Sequence, residues 1–200
     1  MVVLLACKGR EPVPTARFSN EIKSGDIIFQ TSKSGQSQAI QLATHSKYSH
    51  LGIVLKEGDR VKVFEAVEPV KLTPLDEWIA RGKGGKFVVK RLKNADSLLT
   101  ADKLALLKKA GEPFAGKHYD SQFGWDDDRI YCSELVWKMY KAALGIEIGH
   151  LQKLSDFDLK NPVVAKKLRE RYGEKWPLDE PVISPAAIFG SELLETVIAN

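Results

Sequence analysis

The sequence predicts an α+β domain with a mostly antiparallel sheet packed against helices. Short β-rich runs crowd its first half, and amphipathic helical stripes crowd its second. At 200 residues the chain is long enough to bury roughly 70% of the surface that its unfolded form exposes. No stretch of roughly 20 to 50 residues resembles another, which excludes a repeat architecture.

The elements follow in order. Ser24-Gly25-Asp26 reads as a turn feeding a short buried strand, Ile27-Ile28-Phe29. Gln36 to His45, with Ile40 and Leu42 among small and polar residues, has the spacing of a short helix. His50–Leu55 and Arg60–Ala66 flank Lys56-Glu57-Gly58-Asp59, and together they are expected to form a hairpin with a four-residue loop. Pro74, with Asp76 and Glu77 just beyond it, opens a short helix over Leu75–Ala80, and Lys86–Leu92 returns to strand. Beyond Asp96 helices dominate. Ala101–Ala110 stops at Gly111, and Ser133–Leu144 carries Leu135, Val136, Met139, Tyr140 and Ala143 on one stripe and stops at Gly145. Pro162–Tyr172 turns Val164, Leu168 and Tyr172 inward, while its Lys166, Lys167, Arg169 and Arg171 read as a solvated face.

Thirty basic against 26 acidic residues leave a formal charge of +4, scattered along the chain. Without a clustered basic face or a recognisable module, nucleic acid is not an expected partner. The longest uninterrupted apolar run, Met1–Cys7, is far short of the roughly 18 residues that cross a bilayer. That run ends in Leu4-Leu5-Ala6-Cys7, which resembles a bacterial lipobox, and the polar stretch after it carries Pro12 and Pro14, as a tether should. Residues 1–18 are therefore expected to be a lipoprotein-like signal remnant and tether, with Cys7 the site of lipid attachment. Residues 19–200 would form the domain, anchored to the membrane and facing the bacterial envelope. The other reading is a short apolar segment that packs on a cytoplasmic domain.

Two cysteines, Cys7 and Cys132, allow neither a disulfide framework nor a four-cysteine zinc site. Cys132 lies just ahead of the strongest helical stripe, in Ile130-Tyr131-Cys132-Ser133-Glu134-Leu135. A thiol there meets unpaired backbone N–H groups and the positive end of the helix dipole, both of which favour the thiolate. A buried structural cysteine would occupy the same position, so a partner decides between the two. Of the four histidines, His45 ends a helix, His118 and His150 sit in polar loops, and His50 opens a strand. With Leu55 paired to Arg60, the residue opposite His50 is Glu65, its Cβ about 5 Å away on the same face. A carboxylate so placed orients the imidazole and stabilises its charged form. Glu65 itself, between Phe64 and Ala66 in an apolar strand, needs a partner to offset its burial. A slip of one residue would turn it to the opposite face.

Ser49-His50-x-Gly52-Ile53-Val54, Val63-Phe64-Glu65-Ala66 and Tyr131-Cys132-Ser133-Glu134 together resemble the circularly permuted branch of the NlpC-type papain-like amidases. The resemblance runs from Gly25-Asp26-Ile27-Ile28-Phe29-Gln30 to Pro185, and its mark is chain order, with histidine and acid ahead of the cysteine. It implies a permuted papain-like fold with Cys132 as nucleophile, His50 as general base and then acid, and Glu65 as the orienting residue. In related enzymes a tyrosine in a Gly-x-Pro-Tyr element helps hold the oxyanion, and Gly116-Lys117-His118-Tyr119 occupies that place with His118 where proline is usual. Tyr119 is thus either an oxyanion donor or a core-packing tyrosine, and the backbone N–H of Cys132 is the other expected donor.

Two segments invite other chemistry. Gly82-Lys83-Gly84-Gly85-Lys86 lacks the spacing of a phosphate loop and reads as a turn. Asp126-Asp127-Asp128 lacks the alternation of a calcium loop and fits a helix cap, so no metal and no cofactor are expected. The expected activity is thiol-dependent hydrolysis of an amide or ester, with small-molecule, lipid or peptide substrates all open. An acyltransferase using the same three residues and a non-catalytic binding lipoprotein are the alternatives.

Overall fold

The computed structural model describes residues 16–200, so Cys7 and the lipobox-like run lie outside the described residues. The chain enters through α1 (Ala16–Ser19), whose Phe18 meets Phe87 edge-on at 5.2 Å. The Ser24–Asp26 turn then feeds β1 (Ile27–Gln30), and Asp26 fixes that turn by accepting from the Arg91 guanidinium at 2.7 and 2.8 Å. Next come α2 (Ser37–Thr44), β2 (His50–Glu57), β3 (Arg60–Glu65) and β4 (Lys71–Pro74). Helix α3 (Leu75–Arg81) follows Pro74 directly with Asp76 and Glu77 in its first turn, and β5 (Val88–Leu92) returns to the sheet. The helical half opens with α4 (Ala95–Leu98) and α5 (Ala101–Gly111), the latter capped by the Thr100 hydroxyl, which accepts from the Lys103 N–H. The two-residue strands β6 (His118–Tyr119) and β7 (Arg129–Ile130) lead to α6 (Cys132–Leu144), which ends at a left-handed Gly145. After it come β8 (Gln152–Lys153), α7 (Pro162–Tyr172), β9 (Pro181–Val182), α8 (Pro185–Phe189) and β10 (Leu194–Ala199).

Six strands form the main sheet in the order β10-β5-β1-β2-β3-β4, and every neighbouring pair is antiparallel. The architecture is α+β, as the segregation of strands and helices predicts. Alternation along the strands gives the sheet two apolar faces. On one, Ile27, Phe29, Leu51, Ile53 and Phe64 meet Leu135, Val136, Met139 and Tyr140 of α6. The Tyr140 hydroxyl also donates to the Gly25 carbonyl, fastening the helix to the turn before β1. On the other, Ile28, Val54, Val63 and Val89 lie under Trp78 and Ile79 of α3. Both outer strands are interrupted: β4 ends at Pro74, and β10 shifts register between Thr196 and Ile198.

The hairpin departs from expectation. Glu57 pairs with Arg60, so the loop is the two residues Gly58-Asp59 rather than four, with Gly58 at φ +60°. A two-residue turn with glycine first matches the twist of the flanking strands, which a wider loop would not enforce. Ile53 then pairs with Phe64, and continuing that register sets Gly52, not His50, opposite Glu65. The correction is a shift of two residues, an even number, so His50 and Glu65 keep the same face. The acid run is also corrected. Asp126–Asp128 do not cap α6, which begins at Cys132; the Asp126 carboxylate instead accepts from the Asp128 N–H at 2.9 Å in a local bend. The helix start is closed by Glu134, whose carboxylate accepts from the Tyr131 N–H at 3.3 Å.

Candidate active site

Cys132 is the first residue of α6 and is 2% exposed. Its two neighbours hold the helix start in place. The Tyr131 hydroxyl accepts from the Ile183 N–H at 3.1 Å, and the Ser133 hydroxyl donates to the Ile183 carbonyl at 2.7 Å. Both backbone groups of one buried residue are thereby satisfied by the residues flanking the thiol.

His50 is the first residue of β2, 8% exposed, with Trp78 stacked beside it at 6.0 Å between ring centroids and 25° between planes. Its Nε2 lies 2.6 Å from Glu65 Oε2. Glu65 has no exposed surface, and its other oxygen accepts from the Thr73 hydroxyl at 2.6 Å and from the Arg81 guanidinium. Four elements therefore converge on one carboxylate: β2, β3, β4 and α3. Gly52 makes room for this. A Cβ there would stand 2.5 Å from Val63 Cγ1 and 3.2 Å from Glu65 Cβ, in the space across which the carboxylate reaches diagonally to the imidazole.

Burial opposes charge on His50, but hydrogen bonds with Cys132 and Glu65 outweigh it and raise the imidazole to about 9. With Nε2 engaged by Glu65, Nδ1 is the ring nitrogen left for the thiol. Burial alone would push Glu65 up; His50, then Thr73 and Arg81, bring it below the usual carboxylate value. The pair is thus set as imidazolium and carboxylate.

Tyr119 pairs with Ile130 across β6 and β7, two residues ahead of the thiol. Burial, and then negative charge at Cys132, push its phenol well above the ordinary value, so it stays neutral. Its oxygen accepts from Gln36 Nε2 at 3.2 Å. The backbone before it is held by Glu68, which meets His118 Nδ1 at 2.6 Å and accepts from the Tyr119 N–H at 3.0 Å. His118 thus serves as an anchor for β6 in the place where the related element has proline.

Two spaces meet at these residues. Cys132 lines an apolar cavity of about 660 Å³, counting its open mouth. His50 and Tyr119 line a polar groove on the other side.

The family model described as "permuted papain-like amidase enzyme, YaeF/YiiX, C92 family" matches residues 21–198. The chain belongs to that family. The uncharacterized protein YiiX of Escherichia coli (strain K12) is 51% identical over 185 residues, which cover 92% of this chain and 90% of that protein. A crystal structure of yiiX from Escherichia coli O157:H7, described there as a metalloprotein, has a TM-score of 0.86 at 50% identity and covers 90% of this chain and 98% of its own.

As a member of the permuted papain-like amidase family the protein is an amidase-type hydrolase by class. Of the residues singled out from the sequence, the fold brings Cys132, His50 and Glu65 together and sets Tyr119 beside them. Cys7 lies outside the described residues. His45 stands apart from the site, exposed and 3.9 Å from Asp158. Sequence reasoning missed Thr73, Arg81, Trp78 and Gln36, which come from other elements. It also missed Gln30, 2% exposed and paired with His50 across β1 and β2. A polar residue closing the apolar run Ile27-Ile28-Phe29 is the same signal that marked Glu65. Among the described residues no group of three or more His, Cys, Asp or Glu side chains is placed to hold a metal ion.

Proposed function

We propose that the protein is a thiol hydrolase that cleaves an amide bond through an acyl-enzyme on Cys132. The observation that carries this reading is the buried series Glu65, His50 and Cys132, in which two hydrogen bonds hold the imidazole in its charged form. His50 Nδ1 takes the Cys132 proton, and the sulfur attacks the carbonyl carbon. The oxyanion is met by the backbone N–H at the start of α6 and by the Tyr119 hydroxyl, whose hydrogen is free to donate because its oxygen accepts from Gln36. Collapse breaks the C–N bond, the amine leaves with the proton from His50, and a thioester remains. Water, losing a proton to the now neutral imidazole, attacks the thioester; the carboxylic acid leaves and the thiol is restored. Glu65 keeps the ring in one orientation throughout and compensates its positive charge.

The relative's description as a metalloprotein supplies no step here, because the described residues do not gather a set of metal ligands. The Leu4-Leu5-Ala6-Cys7 run supports lipid attachment at Cys7 and residence in the bacterial envelope. Metabolic labelling with an alkynyl fatty acid should mark the wild-type chain and leave Cys7→Ser unmarked; equal labelling overturns the anchor. For the chemistry, Cys132→Ala should abolish both alkylation of the domain by iodoacetamide and amide hydrolysis. Turnover equal to wild type would refute the mechanism.

A further inference from the structure

The polar groove has a charge that the hydrolytic steps leave unused. His50 is on its wall and Cys132 is not, and beside the imidazole it carries three fixed cations, Lys33, Arg81 and Arg129, against one acid, Glu68. That acid is occupied, since Glu68 meets His118 Nδ1 at 2.6 Å and accepts from the Tyr119 N–H at 3.0 Å. Arg81 is held in place by one nitrogen, which donates to Glu65. Its side chain is 43% exposed, so the other N–H groups are left for the groove. Glu65 thereby answers two positive groups, Arg81 and the imidazolium, with a single charge. Lys33 is drawn to the same corner, where its Nζ donates to the Ala80 carbonyl at 3.4 Å, one residue before Arg81. Among the described residues neither Lys33 nor Arg129 is in an ion pair. Like charges gathered on one wall repel one another, and an anion between them relieves that repulsion. A buried amide adds to the wall. Gln30 is 2% exposed, and its Oε1, without a hydrogen-bond partner, is turned against Gly82, where a Cβ would stand 2.2 Å from it. Of that carboxamide only the Nε2 edge is left to a ligand, and it is a donor.

We propose that the half of the substrate leaving on the His50 side carries an anionic group, a carboxylate or a phosphate, which Arg81, Lys33 and Arg129 hold in the groove. The proposal rests on the hydrolase reading and specifies the amine which that reading releases. When the C–N bond breaks, the nitrogen takes its proton from His50, so the amine is set free on the wall that the imidazole lines. A carboxylate or phosphate on that amine meets a planar fork of donors at Arg81 and a point charge of longer reach at Lys33. A cationic amine half would meet like charge there, and a neutral one would leave the cations unanswered. These contacts lie away from the breaking bond and persist from bound substrate to transition state, so they lower KM more than they raise kcat.

The test uses the full chain and four amides that share a benzoyl group: N-benzoylglycine, N-benzoyl-O-phosphoethanolamine, the neutral N-benzoylglycinamide and the cationic N-benzoylethylenediamine. The anionic amides should exceed the neutral one in kcat/KM at least roughly tenfold, mostly through KM, and the cationic one should be slowest. The faster of the two anions names the group. Raising NaCl from about 20 mM to about 500 mM should shrink the preference at least roughly twofold. Lys33→Glu combined with Arg129→Glu should cut the anionic-to-neutral ratio at least roughly tenfold, with Arg81 and its bond to Glu65 left in place. Cys132-dependent turnover that ignores the charge of the amine half, or favours the cation, overturns this proposal and leaves the hydrolase standing. If no ester or amide turns over in a Cys132-dependent way, the hydrolase reading fails. Should the four amides be inert, calorimetry of N-benzoylglycine on Cys132→Ala decides the groove. Binding that the two reversals weaken at least roughly tenfold keeps it as an anion site, and absent or unaltered binding overturns that assignment too.

Discussion

A carboxylate with no exposed surface persists at position 65 because His50, Thr73 and Arg81 all bind it. Glu65→Gln keeps the shape and removes the charge that holds the imidazolium. It should lower kcat/KM by roughly 10² to 10⁴ and move the alkaline limb of the pH profile to lower pH. A limb left in place would show that Glu65 does not act through His50. The same groups govern stability. His50 is raised to about 9, so its contribution is complete below the ordinary 6.5 and is lost as pH climbs through the folded value. Glu65 is lowered, so its contribution is complete above the ordinary 4.5 and is lost as pH falls through the folded value. Tm should therefore be highest between pH 4.5 and 6.5 and fall on both sides. The alkaline loss should be larger in wild type than in Glu65→Gln, since the part of the raised value owed to Cys132 only moves a proton within the pair; equal loss in both would contradict this reading. Glu65 was legible in the sequence because an acid inside an apolar run demands a partner. Thr73 and Arg81 were not, because nothing local to either residue signals that the chain will return it to that carboxylate.

The elements divide by length in the same way. The stripe of α6 spans three turns, and its periodicity announces both the helix and the thiol at its start. Strands β6 to β9 are two residues each, too short for any alternation to register, so periodicity showed none of them and Tyr119 on β6 was reached only through the family resemblance. The hairpin lies between these cases: its strands were legible, its loop was two residues too long, and the face of Glu65 survived because the error was even. Gly52→Ala tests how tightly that crossing is packed. The added Cβ meets Val63 and the Phe64 carbonyl at 2.5 and 2.7 Å, and urea denaturation should show a loss of about 1–3 kcal/mol. Ser133→Ala probes the helix start. It leaves the buried Ile183 carbonyl without its donor, and about 1–3 kcal/mol of stability should disappear. A change within error would mean that the Ser133 bond adds nothing to what the Tyr131 hydroxyl and packing already give the 181–184 segment.

Across the whole molecule the sheet separates two apolar layers, with β1 and β2 at its centre and α6 and α3 on opposite sides. Native-state hydrogen exchange should find the β1 and β2 amides opening only with global unfolding, whereas the β8–β9 pair exchanges through local opening. Equal protection in both would show that the small pair belongs to the same cooperative unit. The interrupted outer strands bear on how the protein behaves in a crowded compartment. Pro74 withholds an amide hydrogen on one flank, and the irregularity between Thr196 and Ile198 twists the other. A sheet rich in valine and isoleucine is thereby kept from recruiting strands of neighbouring copies, which guards a concentrated population against fibril growth.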